Sequence, residues 1–200
     1  MSKFNTLIPE NIKKLLNHNE VNVRIILTST SANGVYPKIK IKMDDNIIFD
    51  GSVIKEISIP ILTMVNKSSF NFQIEHYGKT DAGTVVDDNG NIIENQTVTI
   101  SGFFVNEVDI TKRGLMSKLG CFYPNLSQEK QKYFLDIGIS VGPSQSLTMF
   151  ENGTWSLEFK MPVLYWFNKL VSPQEIHEKW PNQDLMDHLY DKIQLIRFDK

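Results

Sequence analysis

The sequence predicts an all-β-dominated fold, an antiparallel β-sandwich of jelly-roll-like type with short helices at the N- and C-termini. Two observations carry this. Phe70, Phe72, Ile74 and His76 alternate with Asn71, Gln73, Glu75 and Tyr77, a period of two. The stretch Val85-Val86-Asp87-Asp88-Asn89-Gly90-Asn91-Ile92-Ile93 then places Asn-Gly at the tip of a hairpin. Alternation over a half-buried run and an Asn-Gly turn are both marks of antiparallel sheet. No long amphipathic helices separate the strand signals, so βαβ units are not expected.

The elements follow in order. Residues 9–17 read as a short helix, with Ile12, Leu15 and Leu16 on one face. Val21, Val23, Ile25 and Leu27 form the apolar face of a first strand, and residues 29–34 make a small-residue loop. A second strand spans 36–43, with Lys38, Lys40 and Lys42 on one side, before the turn Asp44-Asp45-Asn46. Ile47-Ile48-Phe49 is a short strand, and Asp50-Gly51 is a second hairpin signal. Runs 53–59 and 61–65 are split by Pro60, which predicts a bend or an edge position. Runs 97–100 and 103–110 are interrupted by Ser101-Gly102, where a glycine marks a bulge. Residues 131–139 read as a strand. Runs 147–150 and 154–159 flank the turn Glu151-Asn152-Gly153, with Trp155, Leu157 and Phe159 on one face. After Lys160 the character turns helical, with a cap signal at Ser172-Pro173-Gln174-Glu175. The predicted organisation is an N-terminal helical arm over 1–20, a sandwich over 21–160, and an aromatic helical appendage over 161–200, packing on the sandwich or on a neighbour.

Composition bounds the function. The 200 residues are 41% hydrophobic with a net charge of −2, enough for a core and without a basic block. Nucleic acid is therefore not an expected partner. The lysines at 38, 40 and 42 read as a solvated or aggregation-blocking face. Cys121 is the only cysteine, which excludes an internal disulfide and a Cys-rich zinc site. It reads as a buried apolar thiol. No signal peptide and no membrane insertion are expected from the apolar runs.

Each candidate for chemistry has a bland alternative. Glu75, His76, Lys79 and Asp81 form the densest polar cluster. A His–carboxylate pair can do acid–base work, but His76 is in phase with Phe70, Phe72 and Ile74 and reads as a hydrogen-bonded core histidine. Gly78-Lys79-Thr80 lacks the upstream glycine of a phosphate loop, since Gln73 stands there. Asp87, Asn89 and Asn91 have a calcium-loop spacing, but Ile92 and Val98 occupy the positions that need Gly and Glu. Calcium through Asp44, Asp45, Asp50, Asp81 or Asp87 stays open as the one cofactor; none is otherwise expected. No catalytic residue is assigned, and the expectation is a non-enzyme. Tyr77, Tyr123, Tyr165, Trp166 and Trp180 are the aromatics available to a glycan or an interface, whereas Trp155 falls in the core pattern.

Two segments carry a resemblance. Phe72-x-Ile74-x-His76-Tyr77-Gly78-Lys79-Thr80-Asp81-x-x-Thr84-Val85-Val86-Asp87-x-Asn89-Gly90-x-Ile92, with a strand ending Glu107-Val108-Asp109-Ile110, resembles a group of small uncharacterised proteins of tailed marine bacteriophages. The run from Phe150 to Phe159 before Pro162 is similar to the same group's C-terminal part, and the sandwich resembles carbohydrate-binding modules. The resemblance implies a virion-associated structural or assembly protein, such as a capsid decoration, tail or fibre part, made in the host bacterial cytoplasm. It implies a homo-oligomer contacting other virion proteins. A carbohydrate-binding module for a host surface glycan, with or without calcium, is the alternative.

Overall fold

The computed structural model describes residues 20–64, 68–106, 108–111, 116 and 119–161. The helical segments expected over 1–20 and 161–200, with Tyr165, Trp166 and Trp180, lie outside these residues, Glu20 and Met161 apart. Twelve strands are described: β1 (Glu20–Thr30), β2 (Lys38–Met43), β3 (Asn46–Ser52), β4 (Glu56–Met64), β5 (Ser69–Tyr77), β6 (Thr84–Val86), β7 (Ile92–Asn95), β8 (Thr97–Val105), β9 (Val108–Asp109), β10 (Cys121–Pro124), β11 (Thr148–Met149) and β12 (Gly153–Lys160). One helix, α1 (Gln128–Asp136), interrupts them.

Strands with one apolar face need a second layer to cover it, and two layers form here. One sheet has the order β11-β8-β1-β4, with β9 also on β8; the other has the order β10-β12-β5-β2-β3. All pairings are antiparallel. The chain passes repeatedly from one sheet to the other, so most neighbours in a sheet are distant in sequence. The inner faces supply the core: Val21, Val23, Ile25 and Leu27 from β1; Phe70, Phe72 and Ile74 from β5; Trp155, Leu157 and Phe159 from β12. Phe103 of β8 bridges the layers. Its ring lies 5.3 Å from Phe72, 5.7 Å from Phe159 and 6.3 Å from Trp155. These offset and edge-on contacts suit aromatic quadrupoles.

Local details match the pattern in most places. Ile26 faces Gly102 and Leu27 faces Ile100, so Ser101 is an extra residue and β8 is bulged where the glycine marked it. Pro60 lies within β4, the edge strand, opposite Arg24, where its missing N–H leaves no inner ladder incomplete. Lys38, Lys40 and Lys42 share the outer face of β2, with Ile39, Ile41 and Met43 buried behind them. Gly120 brings the backbone against Trp155, where an added Cβ would fall 1.9 Å from the indole ring.

Three expectations are corrected. Asp50-Gly51 is no turn: β3 runs through it, with Asp50 opposite Lys40 and Gly51 opposite Ile39. The turn is Asp44-Asp45, and a Lys40–Asp50 ion pair at 3.6 Å spans the ladder beyond it. Residues 131–139 are not a strand but the end of α1 and its exit. Ser127 Oγ caps the helix by accepting from the Lys130 N–H at 3.2 Å. Gly138, at φ 77°, ends it: its N–H donates to Leu135 and the Ile139 N–H donates to Phe134, a Schellman pair. Cys121 is half-buried rather than buried.

The two ends of the sandwich differ. Thr30, Tyr77, Asn95 and Gly153 lie at one end. At the other, Glu20 faces Met64 and the Met161 N–H donates to Ser68.

The Phe103 contacts predict a direct test. Phe103→Ala is expected to lower stability by about 3–5 kcal/mol, the cost of a large cavity between the layers. Urea denaturation of the full chain reads it, and a loss below ~1 kcal/mol would remove Phe103 from its central place.

Candidate functional site

The end of the sandwich near Tyr77 carries a cleft of about 800 Å³. One wall is the β6–β7 hairpin, with Val86 and Ile92. The other is α1 and the loop after it, with Tyr133, Phe134, Ile137 and Ile139. Thr97, Phe122, Thr148, Phe150 and Glu151 line the base.

The hairpin forms where the sequence predicted it. Asp87 organises its tip: Oδ1 accepts from the N–H groups of Asn89 and Asn91, and Oδ2 accepts from the Asn91 side chain at 3.0 Å. These bonds, the Asn91 side chain's first, hold the Asp87 carboxyl below its usual pKa. Its base is fixed by Thr84 Oγ1 donating to Asn95 Oδ1 at 2.9 Å. The Asn33 N–H donates to Glu94 at 2.7 Å and the Gln96 side chain donates to the Val35 carbonyl at 2.9 Å. The other wall is tied to β10 through the Phe122–Ser144 bridge.

Beneath the cleft, the turn between β11 and β12 gathers the charged groups. Lys79 Nζ donates to Asn95 Oδ1 at 2.6 Å and to the Phe150 carbonyl at 2.5 Å, and lies 3.7 Å from Glu151 Oε1. Lys130 of α1 meets Glu151 Oε2 at 2.6 Å. Burial lowers the Lys79 pKa; the Glu151 charge opposes this and the Lys130 charge adds to it. The Asn152 side chain clamps the Lys79 backbone, donating to its carbonyl at 2.7 Å and accepting from its N–H at 2.9 Å.

The predicted polar cluster is therefore divided. His76 faces inward and is 1% exposed, with Nδ1 at 2.9 Å from the Glu151 carbonyl. A carbonyl only accepts, so Nδ1 carries the proton. Nε2 is buried and meets no hydrogen-bond partner among the described residues. Burial is the main cause that lowers the His76 pKa from 6.5 to about 4; the Glu151 carbonyl opposes it. Glu75 is on the outer face, paired with Lys42 at 3.1 Å. Asp81 is exposed in a 3-10 turn on the cleft lining and does not join His76. His76 is thus the hydrogen-bonded core histidine, and no His–carboxylate dyad forms.

Tyr77 and Tyr123 lie away from the cleft lining. The Tyr77 hydroxyl donates to Asp50 at 2.5 Å, which raises its pKa, and Lys40 lies 5.2 Å above the ring. Tyr123 is half-exposed, and its pKa is raised first by a hydrogen bond with Cys121. Among the described residues no group of three His, Cys, Asp or Glu side chains could hold a metal ion. Among them no helix is long and apolar enough to cross a membrane. Sequence reasoning missed Asn95, Lys130 and Phe150, and read Glu151 and Asn152 only as turn residues. One legible signal was the hairpin's composition: Val85-Val86 and Ile92-Ile93 leave it no polar face.

No family model matches the chain, and no curated protein matches it. Among solved structures it is similar to vCBM60, from work on a circular permutation linking two families of calcium-dependent carbohydrate-binding modules. The selenomethionine form has 6% identity and a TM-score of 0.42, over 68% of this chain and 89% of that one. vCBM60 in complex with galactobiose has 7% identity and a TM-score of 0.37, over 68% and 96%. At this distance the fold assignment rests on the sheets themselves.

His76 predicts a pH dependence. Between pH 6.5 and 4 the unfolded chain takes up a proton that the fold refuses, so stability is full above pH 6.5 and falls as acid is added. Between pH 7 and 5 the loss is about 2 kcal/mol. Urea midpoints across this range read it, and His76→Leu is expected to flatten the slope. An unchanged slope in that variant would assign the effect to other groups.

Proposed function

We propose that the protein is a non-enzymatic structural or assembly component of a bacteriophage particle, made in the host cytoplasm, and that it docks through the cleft end of its sandwich. The observation that carries the docking site is a ring of exposed apolar side chains. Ile92 and Ile93 of the hairpin are each 62% exposed, and Leu135 of α1 and Ile137 at its C-terminal end are 60% and 51% exposed, with Ile92 and Ile137 on opposite walls of the cleft. An isolated two-stranded hairpin is marginal in water, and apolar groups gathered at one end mark a contact surface. The phage assignment is supported by the resemblance of the 72–109 and 150–159 segments. The expected partners are other copies of the chain and other virion proteins.

Sedimentation of the full chain over a range of concentrations tests this. The wild type is expected to form a defined closed oligomer, and Ile93→Asp with Leu135→Asp to give a folded monomer whose Tm no longer depends on protein concentration. A wild-type monomer at every concentration overturns self-association.

A second reading, a carbohydrate-binding module for a host surface glycan, is favoured by Tyr133 and Phe150. Both rings stand partly exposed on the cleft beside the hydrogen-bonding groups of Asn95, Thr97 and Thr148. Stacked sugars need such a pairing of ring and polar group. Calcium belongs to this reading as an added ion. A glycan array run with and without calcium is expected to give hits that Tyr133→Ala abolishes, and silence in both conditions sinks it.

A further inference from the structure

The interior of the cleft holds a charge arrangement that the docking proposal does not use. Glu151 is the single carboxylate between two ammonium groups, Lys130 on Oε2 and Lys79 on Oε1. The other acceptors of Lys79 are neutral, an amide oxygen of Asn95 and the Phe150 carbonyl. The floor therefore carries a surplus positive charge. Asp81, the other carboxylate on the lining, is exposed to solvent, and water screens it. Lys79 is sealed below, its side chain 1% exposed, whereas that of Lys130 is 30% exposed and lines the cleft. An ammonium has three donors, and Glu151 takes one of those of Lys130.

Above this floor the walls are apolar: Val86 and Ile92 on one side, Tyr133, Phe134 and Ile137 on the other. The volume, about 800 Å³, falls within the roughly 300–1,000 Å³ of small-ligand sites, which combine apolar walls with a few convergent polar groups. A neutral apolar guest leaves the surplus charge unanswered, and a cationic one meets repulsion. A carboxylate answers it with a charge-assisted bond, stronger in a half-enclosed site than in water.

We infer that the cleft is a binding site for a small amphipathic monocarboxylate, its apolar body between Ile92 and Ile137 and its carboxylate on Lys130. The depressed pKa of Lys79 agrees, since an added anion relieves the strain of a buried cation.

Three probes with one alkyl chain test it by calorimetry on the full chain: decanoate, decanol and decyltrimethylammonium. Decanoate is expected to bind saturably and at least tenfold more tightly than decanol, with affinity falling as salt rises, and decyltrimethylammonium not at all. Lys130→Gln is expected to reduce decanoate to the level of decanol, and Lys130→Arg to keep the preference. If Lys130→Gln does not fold, Ile137→Asp replaces it and is expected to weaken both decanoate and decanol. Equal affinities for decanoate and decanol, no saturable binding, or a preference that survives Lys130→Gln each overturn the inference. Ile93 lies off the cleft lining, so Ile93→Asp is expected to leave decanoate binding unchanged. A failure of docking and a failure of this site are thereby read separately.

Discussion

The sandwich depends on one extra residue in β8. In an unbroken strand every second side chain faces the core, so Val98 and Ile100 would set the phase for everything after them. Phe103 would then face away. Ser101 takes up the extra position instead, exposed, with its hydroxyl donating to the Ile26 carbonyl at 3.1 Å. After it the phase is reversed, and Phe103 and Val105 are buried as fully as Val98 and Ile100. The aromatic contacts between the layers follow from that reversal. A single strand thus supplies core residues on both sides of a bend, which two rigidly alternating halves could not do.

A second dependence sits in the turn from β11 to β12. Three consecutive residues each hold a different part of the cleft end. Phe150 accepts from Lys79 through its carbonyl; Glu151 accepts from His76 through its carbonyl and engages two lysines through its carboxylate; Asn152 clamps the Lys79 backbone. The end of β5, the helix α1 and the base of the hairpin are therefore joined through one short segment. The shape of the cleft and the charge on its floor have the same origin. Low local dielectric strengthens each of these bonds and makes each costly to leave unmade.

The sheet was legible because one-sided burial writes a period of two into sequence. β1, β2, β5 and β12 carry it plainly, and Gly102 and Pro60 marked the bulge and the edge. The helix α1 was not legible for a related reason. None of its residues is buried, so no 3.6-residue stripe was needed, while Tyr133, Leu135, Ile137 and Ile139 happen to alternate. Only its caps, Ser127 and Gly138, spoke for a helix. Asp50-Gly51 misled in the opposite sense: turn-forming composition was overridden by a ladder that continues past it. At the site, the burial of His76 could be read from its phase on β5. The joining of Lys79 to Glu151 and Lys130 could not, because local pattern does not record which distant loops a sandwich brings to one end.

Glu20 and Met161, the two places where the described chain meets its flanks, both lie at the end remote from the cleft, one on each sheet. β12 spans the sandwich between these ends in eight residues, a reach of roughly 25 Å at the usual strand rise. Glu20 and Met161 therefore both stand about that far from the cleft end, on the opposite side of the sandwich. A tension applied between Glu20 and Met161 would load β1 and β12 at the same end of the two layers, prying them apart strand end by strand end rather than sliding one past another.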